Sequence, residues 1–266
     1  MAWTATKSKV LVTALSLVLL AAAVAVKLAF FPSVKDDYFA MNQRSLQETP
    51  FGLVVVRPTH FPKTTHPGIR GGSAKRFGKQ VWRMMGRDVS LQQVFGMAYA
   101  QSAERVVLPA TAPNTNFDFL VTTTGDQRKC LQEALRKKLG LIAKTETRET
   151  AVLAMKIHDA GLPALVVSDA NAKQNVDMDN GKLHFTHMRL DELVRGLEQA
   201  MKTPVVDKTS LTNYYDFSIE LSPQVQRQLR NEATAADAVK SILASLGLEL
   251  DPDTASTEML VVRNAM

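Results

Sequence analysis

Two aspartates occupy matching places in the sequence and are the side chains best suited to acid–base chemistry. Asp118 and Asp216 are each flanked by aromatic residues, within stretches typical of strands. A pair of carboxylates can act as general acid and general base if the fold brings them to one pocket. The alternative is structural, because an aspartate repeated in two similar settings can bond a turn amide or a lysine. The repetition favours this structural interpretation.

The histidines and the single cysteine follow no metal-binding or nucleophile motif. His184 and His187 are close in sequence, but residues three apart on a strand point to opposite faces, which disfavours joint metal binding. His60 and His66 lie in a proline-rich stretch, where solvated polarity explains them. Cys130 lies in an amphipathic helix pattern and is interpreted as a buried small apolar residue. The sequence also has no glycine-rich phosphate loop or nucleophile elbow, so we expect no cofactor, no metal and no catalytic residue.

Residues 203–221 are the stretch around which the chain is organised, and they predict a strand, a turn and a second strand. The turn contains Asp207, whose side chain can accept hydrogen bonds from the amides that follow it. This turn and the strand after it form the candidate interaction motif, which comprises Pro204, Asp207, Lys208, Thr209, Tyr215 and Asp216.

An earlier part of the chain repeats the order of elements found around this motif. With a shift of 99 residues, 90–95 fall on 189–194, and after a loop insertion 135–141 fall on 242–248. Matching anchors in one order, with apolar faces in register, indicate an internal duplication. The predicted fold is therefore α+β, with two repeated small βαβ-type modules whose sheets are mixed or antiparallel. The modules are assigned to residues 81–160 and to residues 161–266, the latter opening with a hairpin.

Three local assignments complete this organisation. Residues 141–145 and 151–157 are expected to form a hairpin that closes the first module. Residues 168–181 are expected to be a polar turn between two strands. Residues 33–80 are interpreted as a spacer with one short strand followed by a basic loop rich in proline and glycine.

The basic loop is the most strongly charged part of the chain. From Arg57 to Arg87 there are eight Lys or Arg residues and no acidic residue. A solvated loop explains this composition. The functional alternative is a patch that contacts anionic lipid headgroups or a wall polymer. The candidate basic patch comprises Lys63, Arg70, Lys75, Arg76 and Lys79.

The N-terminus predicts a membrane segment. Residues 10–26 contain no charge and no proline, and lysines flank them on both sides. We assign residues 1–32 to a cytoplasmic tail and a transmembrane anchor, with a cleaved signal peptide as the alternative. Either interpretation places the main body in the periplasm, on a bacterial cytoplasmic membrane that a single helix crosses. Export and an aromatic content of 6% argue against nucleic-acid binding.

The second copy of the repeat carries a family resemblance. Residues 204–217 and 242–250 resemble the signature of the "soil-associated" family of uncharacterised bacterial proteins, which carry a domain of unknown function. Residues 210–213 depart from the Gly-Leu-Thr-Gly of that pattern, and Asn213 is expected to adopt the left-handed conformation. The half-repeat is also similar to the short N-terminal domain of secretins and TonB-dependent receptors, which binds protein partners. The "soil-associated" family implies no established catalytic residue.

These observations favour a non-catalytic, membrane-anchored module that binds a protein or an envelope polymer. A small α+β sheet with an accessible edge can take up a partner strand, and we expect this mechanism. One alternative is an extracytoplasmic enzyme that uses Asp118 or Asp216 as acid or base. Another is a sensor domain that acts through a membrane partner.

Overall fold

The computed structural model describes residues 35–40, 42, 49–61, 68–76, 79–158 and 161–265. The described residues contain five α-helices: α1 Leu91–Tyr99, α2 Gln127–Leu139, α3 Leu190–Met201, α4 Pro223–Arg230 and α5 Glu232–Ser245. They contain twelve strands: β1 Val54–Pro58, β2 Gly68–Arg76, β3 Lys79–Val89, β4 Val106–Val107, β5 Phe117–Val121, β6 Leu141–Ile157, β7 Val166–Val167, β8 Asn175–Asp179, β9 Lys182–Met188, β10 Val205–Asp207, β11 Tyr215–Glu220 and β12 Leu248–Asn264.

The strands form three four-stranded sheets. The first sheet has the order β1-β5-β3-β2, the middle sheet β10-β6-β12-β4 and the third sheet β7-β11-β9-β8. All pairs in the first and third sheets are antiparallel. The first and third sheets also have the same strand order, so β2 and β8 occupy equivalent outer positions, as do β1 and β7.

The middle sheet joins the first half of the chain, which includes β4 and β6, to the second half, which includes β10 and β12. Strands β6 and β12 pair antiparallel along their full 17 residues, with Leu141 opposite Asn264 and Ile157 opposite Leu248. Each long strand also has a short parallel neighbour, β10 beside β6 and β4 beside β12. Each half therefore contributes a short strand that pairs with the long strand of the other half.

Two hydrophobic cores lie at opposite ends of this long pair. The first core contains Leu141 from β6 together with Leu260 and Val262 from β12. The second core contains Met155 from β6 and Leu248 from β12. The middle of β6 is polar and largely exposed, so each long strand crosses from one core to the other. Helices α1 and α2 bury residues in the first core, and α3 and α5 bury residues in the second.

A buried ion pair connects the two halves beside the middle sheet. Arg105 Nε lies 2.6 Å from Glu198 Oε1 on α3, and Glu198 is 1% exposed. The same guanidinium donates to the carbonyl of Val205 and to Oγ1 of Thr257, and Glu198 also accepts from the Val205 amide. A buried charge is tolerated when it is paired and hydrogen-bonded in this way.

The two outer sheets differ on the face that points away from their helices. In the first sheet this face carries Met85 and Leu120, which pack with Phe39 from a short 3₁₀-helix in a third cluster. At the equivalent places the third sheet has His184 and Ser218, whose side chains hydrogen-bond each other at 2.8 Å. The centre of the first sheet, at β3 and β5, is therefore buried on both faces, whereas this face of the third sheet is polar.

The predicted membrane anchor is corrected by the structure. Residues 1–32 lie outside the described residues, so the predicted segment itself is not part of the described fold. None of the helices within the described ranges combines the length and the apolar character required to cross a bilayer. The prediction of a transmembrane helix, and the single-pass periplasmic localisation derived from it, are therefore not supported.

The prediction of two small modules, each with its own sheet, is also wrong. The α+β class holds, but three sheets are present and both halves build the middle one. The expected hairpin at residues 141–157 is one continuous strand, β6. The expected basic loop contains β2, whose nine residues pair with β3. The expected polar turn at 168–181 contains β8.

We predict that Gly86 is required for the packing of the first sheet. Gly86 lies opposite Phe119, and a Cβ at Gly86 would be 2.3 Å from Cε1 of that buried ring. Gly86→Ala should therefore lower the free energy of unfolding by about 1–3 kcal/mol, measured by urea denaturation. Gly71→Ala on β2 is the matched control, because its Cβ would lie 3.9 Å from the nearest atom. Equal effects of the two substitutions would contradict the packing argument.

Candidate functional site

The two candidate carboxylates occupy equivalent positions and bond equivalent backbone amides. Asp118 on β5 accepts a hydrogen bond from the amide of Asp88 at 3.1 Å, and Asp216 on β11 accepts one from the amide of His187 at 2.8 Å. Asp88 and His187 have φ values of 52° and 54°, in the left-handed region. The pairing register shifts at both places, just before α1 and α3. Each carboxylate therefore fixes the backbone where a strand turns into a helix.

The remaining contacts of the two carboxylates differ. Asp118 is 0% exposed, and Nε of Arg57 lies 3.3 Å from its Oδ2. The amide of His187 and the hydroxyl of Ser168 hold the pKa of Asp216 below its usual range. The Ser168 hydroxyl also lies 3.2 Å from Nδ1 of His187.

Ser168, His187 and Asp216 do not have the geometry of a hydrolase triad. In a triad the histidine ring lies between the serine and the carboxylate, accepts the serine proton and is oriented by the carboxylate. Here Asp216 bonds the backbone amide of His187, and the ring of His187 stacks on Tyr214 at 4.0 Å between centroids. The arrangement orders the surface of the third sheet.

The candidate interaction motif forms a compact turn after β10. Oδ1 of Asp207 accepts from the amide and the hydroxyl of Thr209, and the Thr209 hydroxyl accepts from the amide of Leu211. Ser210 has φ 60°, so Ser210 adopts the left-handed conformation and the prediction for Asn213 is wrong.

Other members of the motif attach this turn to the body of the protein. The Lys208 amide donates to the carbonyl of Met155, and its ammonium pairs with Asp253 at 2.6 Å. Pro204 accepts from the amide of Leu153, and Tyr215 is buried in the second core. The motif therefore consists mainly of structural contacts.

The cavities lined by described residues include two that adjoin the sheets. One of about 240 Å³ lies beside the turn and is lined by Arg189, Leu190, Asp191, Asp207, Ser210, Leu211, Thr212 and Asn213. The other, of about 380 Å³, lies between β3 and the start of α2, and its wall includes Trp82, which is 64% exposed. Neither lining contains Asp118 or Asp216.

The described members of the candidate basic patch share the hairpin of β2 and β3, and the histidines and the cysteine lie on other elements. Arg70, Lys75 and Arg76 lie on β2 and Lys79 lies on β3, while Lys63 is outside the described residues. His184 and His187 bond different serines, and Cys130 on α2 is partly buried. No group of three or more potential metal ligands occurs in the part of the chain that the structure describes.

A comparison with protein-family models matches residues 88–265 to the family described as protein of unknown function (DUF3738). The chain belongs to the DUF3738 family. The match includes both carboxylates and the interaction motif, whereas β1 and β2 lie outside it. No curated protein and no solved structure matches the chain. The narrower resemblances, to the "soil-associated" proteins and to the secretin and TonB receptor domain, stay predictions.

The feature that sequence reasoning missed is the outer edge of the third sheet, formed by β8. Among the described residues β8 pairs only with β9, through the register from Asn175–Thr186 to Asp179–Lys182. Val176 and Met178 are 49% and 58% exposed. They lie opposite Phe185 and Leu183, on the face that packs against the second core. Among its described residues, this DUF3738 chain therefore presents a strand edge that is unpaired and has two uncovered apolar side chains.

A signal for this edge was present in the sequence. Asn180 and Gly181 have φ values of 49° and 78° and connect β8 to β9. An Asn-Gly pair between alternating residues is the strongest short-range signal of a type I′ hairpin. The polar composition of residues 168–181 concealed the alternation of Val176 and Met178.

We predict that the two carboxylates stabilise the fold. Asp118→Asn should lower the free energy of unfolding by about 2 kcal/mol, because a buried charged acceptor is lost.

Asp216 has a lowered pKa, so its stabilisation is present at neutral pH and is lost as the pH falls below about 4. Denaturation from pH 7 to pH 2 should show the difference between wild type and Asp216→Asn shrinking over this range.

Glu220→Gln is the matched control for Asp216→Asn, because Glu220 is an exposed carboxylate at the end of the same strand. A pH-independent effect of Asp216→Asn, or an equal pH-dependent effect of Glu220→Gln, would contradict the assignment.

Proposed function

We propose that this protein is a non-catalytic binding module that takes up an extended polypeptide strand along the free edge of β8. The observation that carries the proposal is the exposure of Val176 and Met178 on the core-facing side of an unpaired edge strand. Native proteins normally shorten, charge or cover such edges. Strand β8 is short and carries Asp177 and Asp179, but Val176 and Met178 stay uncovered, which favours a docking site.

The backbone of β8 is oriented to accept a partner strand. The closing pair of a two-residue hairpin is hydrogen-bonded, which here is Asp179 with Lys182. Alternate residues of an antiparallel strand then direct their N–H and C=O groups to opposite sides. Val176 and Met178 therefore direct theirs toward the free edge, where a partner strand would bind them.

The side chains of β8 define the kind of partner. Covering two half-exposed apolar side chains contributes about 1 kcal/mol each, so the partner strand needs apolar residues on that face. Asp177 and Asp179 lie on the other face and favour Lys or Arg opposite them. The expected ligand is therefore an extended segment that alternates apolar and basic residues.

The enzyme alternative has less support. The carboxylates of Asp118 and Asp216 both accept hydrogen bonds from the amides of the left-handed residues just before α1 and α3. The depressed pKa of Asp216 makes it a weak base and removes it as an acid at neutral pH. The resemblance of the half-repeat to a partner-binding domain of secretins, which stays a prediction from the sequence, agrees with a binding role.

The proposal predicts that a short synthetic peptide alternating isoleucine and arginine binds to the protein. Isothermal titration calorimetry should show saturable binding, and hydrogen exchange should show protection of residues 175–179. Replacing Val176 and Met178 together by Ser should weaken binding by at least about tenfold, the equivalent of 1.4 kcal/mol.

Two controls distinguish strand pairing from nonspecific hydrophobic binding of the peptide. The same peptide N-methylated at alternate amides cannot complete the ladder and should not bind. Replacing Val166 and Val167 by Ser removes equally exposed valines from the opposite edge of the same sheet and should leave binding unchanged. Binding of the methylated peptide, or an equal loss in the β7 variant, would overturn the proposal.

A further inference from the structure

The equivalent outer strands of the first and third sheets carry opposite charge. Strand β2 contains Arg70, Lys75 and Arg76 and no acidic residue. Strand β8 contains Asp177 and Asp179 and no basic residue. Within the described ranges each strand pairs on one side only, β2 with β3 and β8 with β9. Among its described residues, one molecule thus presents unpaired edges of opposite charge on its first and third sheets.

We propose that the partner strand at β8 is β2 of a second copy of this chain. This inference rests on the proposed function and names the occupant of the same edge. The two strands would pair antiparallel and join the third sheet of one molecule to the first sheet of the next.

One register aligns the hydrogen-bonding positions of the two backbones and gives two favourable side-chain pairs. In it Met178 lies opposite Ile69 of the second copy, Asp177 opposite Arg70, and Val176 opposite Gly71. Arg76 and Lys79 are the closing pair of the β2–β3 hairpin, which is connected by two residues. By the same alternation as in β8, the N–H and C=O groups of Ile69 and Gly71 therefore point to the free edge. The hydrogen-bonding positions of the two edges coincide.

The faces of the sheets also agree in this register. Ile69 packs against the first core, and Met178 lies on the face that meets the second core. Pairing them places apolar residue beside apolar residue, with the helices of both copies on one side of the continuous sheet. The exposed Arg70 then faces Asp177, a favourable cross-strand pair.

Charge disfavours the symmetric alternatives. Antiparallel pairing of β8 with β8 of another copy, centred on Asp177, would put two aspartates opposite each other. Pairing of β2 with β2 offers no opposite-charge pair, because β2 contains no acidic residue. The head-to-tail contact is heterologous, so it generates rings or open chains of molecules.

Asp177 would change its partner on assembly. In the single chain its Oδ1 accepts the edge-facing amide of Met178 at 2.8 Å. When β2 of a second copy is added, the carbonyl of Ile69 takes that amide and the carboxylate turns to Arg70. A carboxylate at a free edge can also act against pairing. If Asp177 pairs with Arg70, Asp177→Asn weakens association; if the carboxylate instead protects the edge from pairing, Asp177→Asn strengthens association.

The test is sedimentation velocity over a range of protein concentrations, using wild type, Arg70→Asp and Asp177→Arg. Wild type should associate with increasing concentration and dissociate at high salt, because the contact includes an ion pair. Each single variant places like charges opposite each other and should associate at least about tenfold more weakly. In an equal mixture, contacts between unlike variants pair opposite charges, whereas contacts between copies of one variant stay repulsive. Alternating assembly of the two variants should therefore restore association well above that of either variant alone.

Arg195→Asp, an exposed charge reversal on α3, is the matched control and should associate like wild type. Circular dichroism melting curves establish that each variant folds. Asp177→Asn, measured in the same way, should associate more weakly than wild type. Three results would each overturn the assignment: a monomer at every concentration, no recovery in the mixture, or stronger association of Asp177→Asn. None of these results removes binding of the synthetic peptide, which tests the proposed function separately.

Discussion

The antiparallel pairing of β6 with β12 is the contact on which the rest of the structure depends. Each strand has apolar residues near both ends and a polar middle, so each contributes side chains to both hydrophobic cores. The short strands β4 and β10 then attach each half to the long strand of the other. The buried pair of Arg105 with Glu198 closes the same interface. Two similar halves thereby become one unit with three sheets.

Sequence patterns predicted the local elements better than their pairing. The repeat with a 99-residue shift placed α1 and α3, together with β4 and β10, in equivalent positions, and the structure shows the same strand order in the outer sheets. The middle of β6 reads as a turn because it is polar, although its backbone is paired throughout. The basic stretch around β2 reads as a loop for the same reason. The composition of a stretch indicates how exposed its side chains are and not whether its backbone is paired, because a paired strand can be exposed on both faces.

The candidate site shows the same limit. The repeated aspartates were recognised, and so was their structural alternative, because identical residues in identical settings indicate a shared backbone requirement. The edge of β8 was missed because its five residues are exposed and their alternation is short. The outer sheets also diverge in ways that no local pattern reveals: Phe39 covers the outward face of the first sheet, while the third sheet has His184 and Ser218 there.

Native-state hydrogen exchange along β6 and β12 tests most directly whether the shared sheet makes the two halves one cooperative unit. The account predicts that amides of both strands, in the first core and in the second, exchange with one common free energy equal to that of global unfolding. Amides of one core that exchange at a clearly lower free energy, while those of the other stay protected, would show two independent modules and would contradict it.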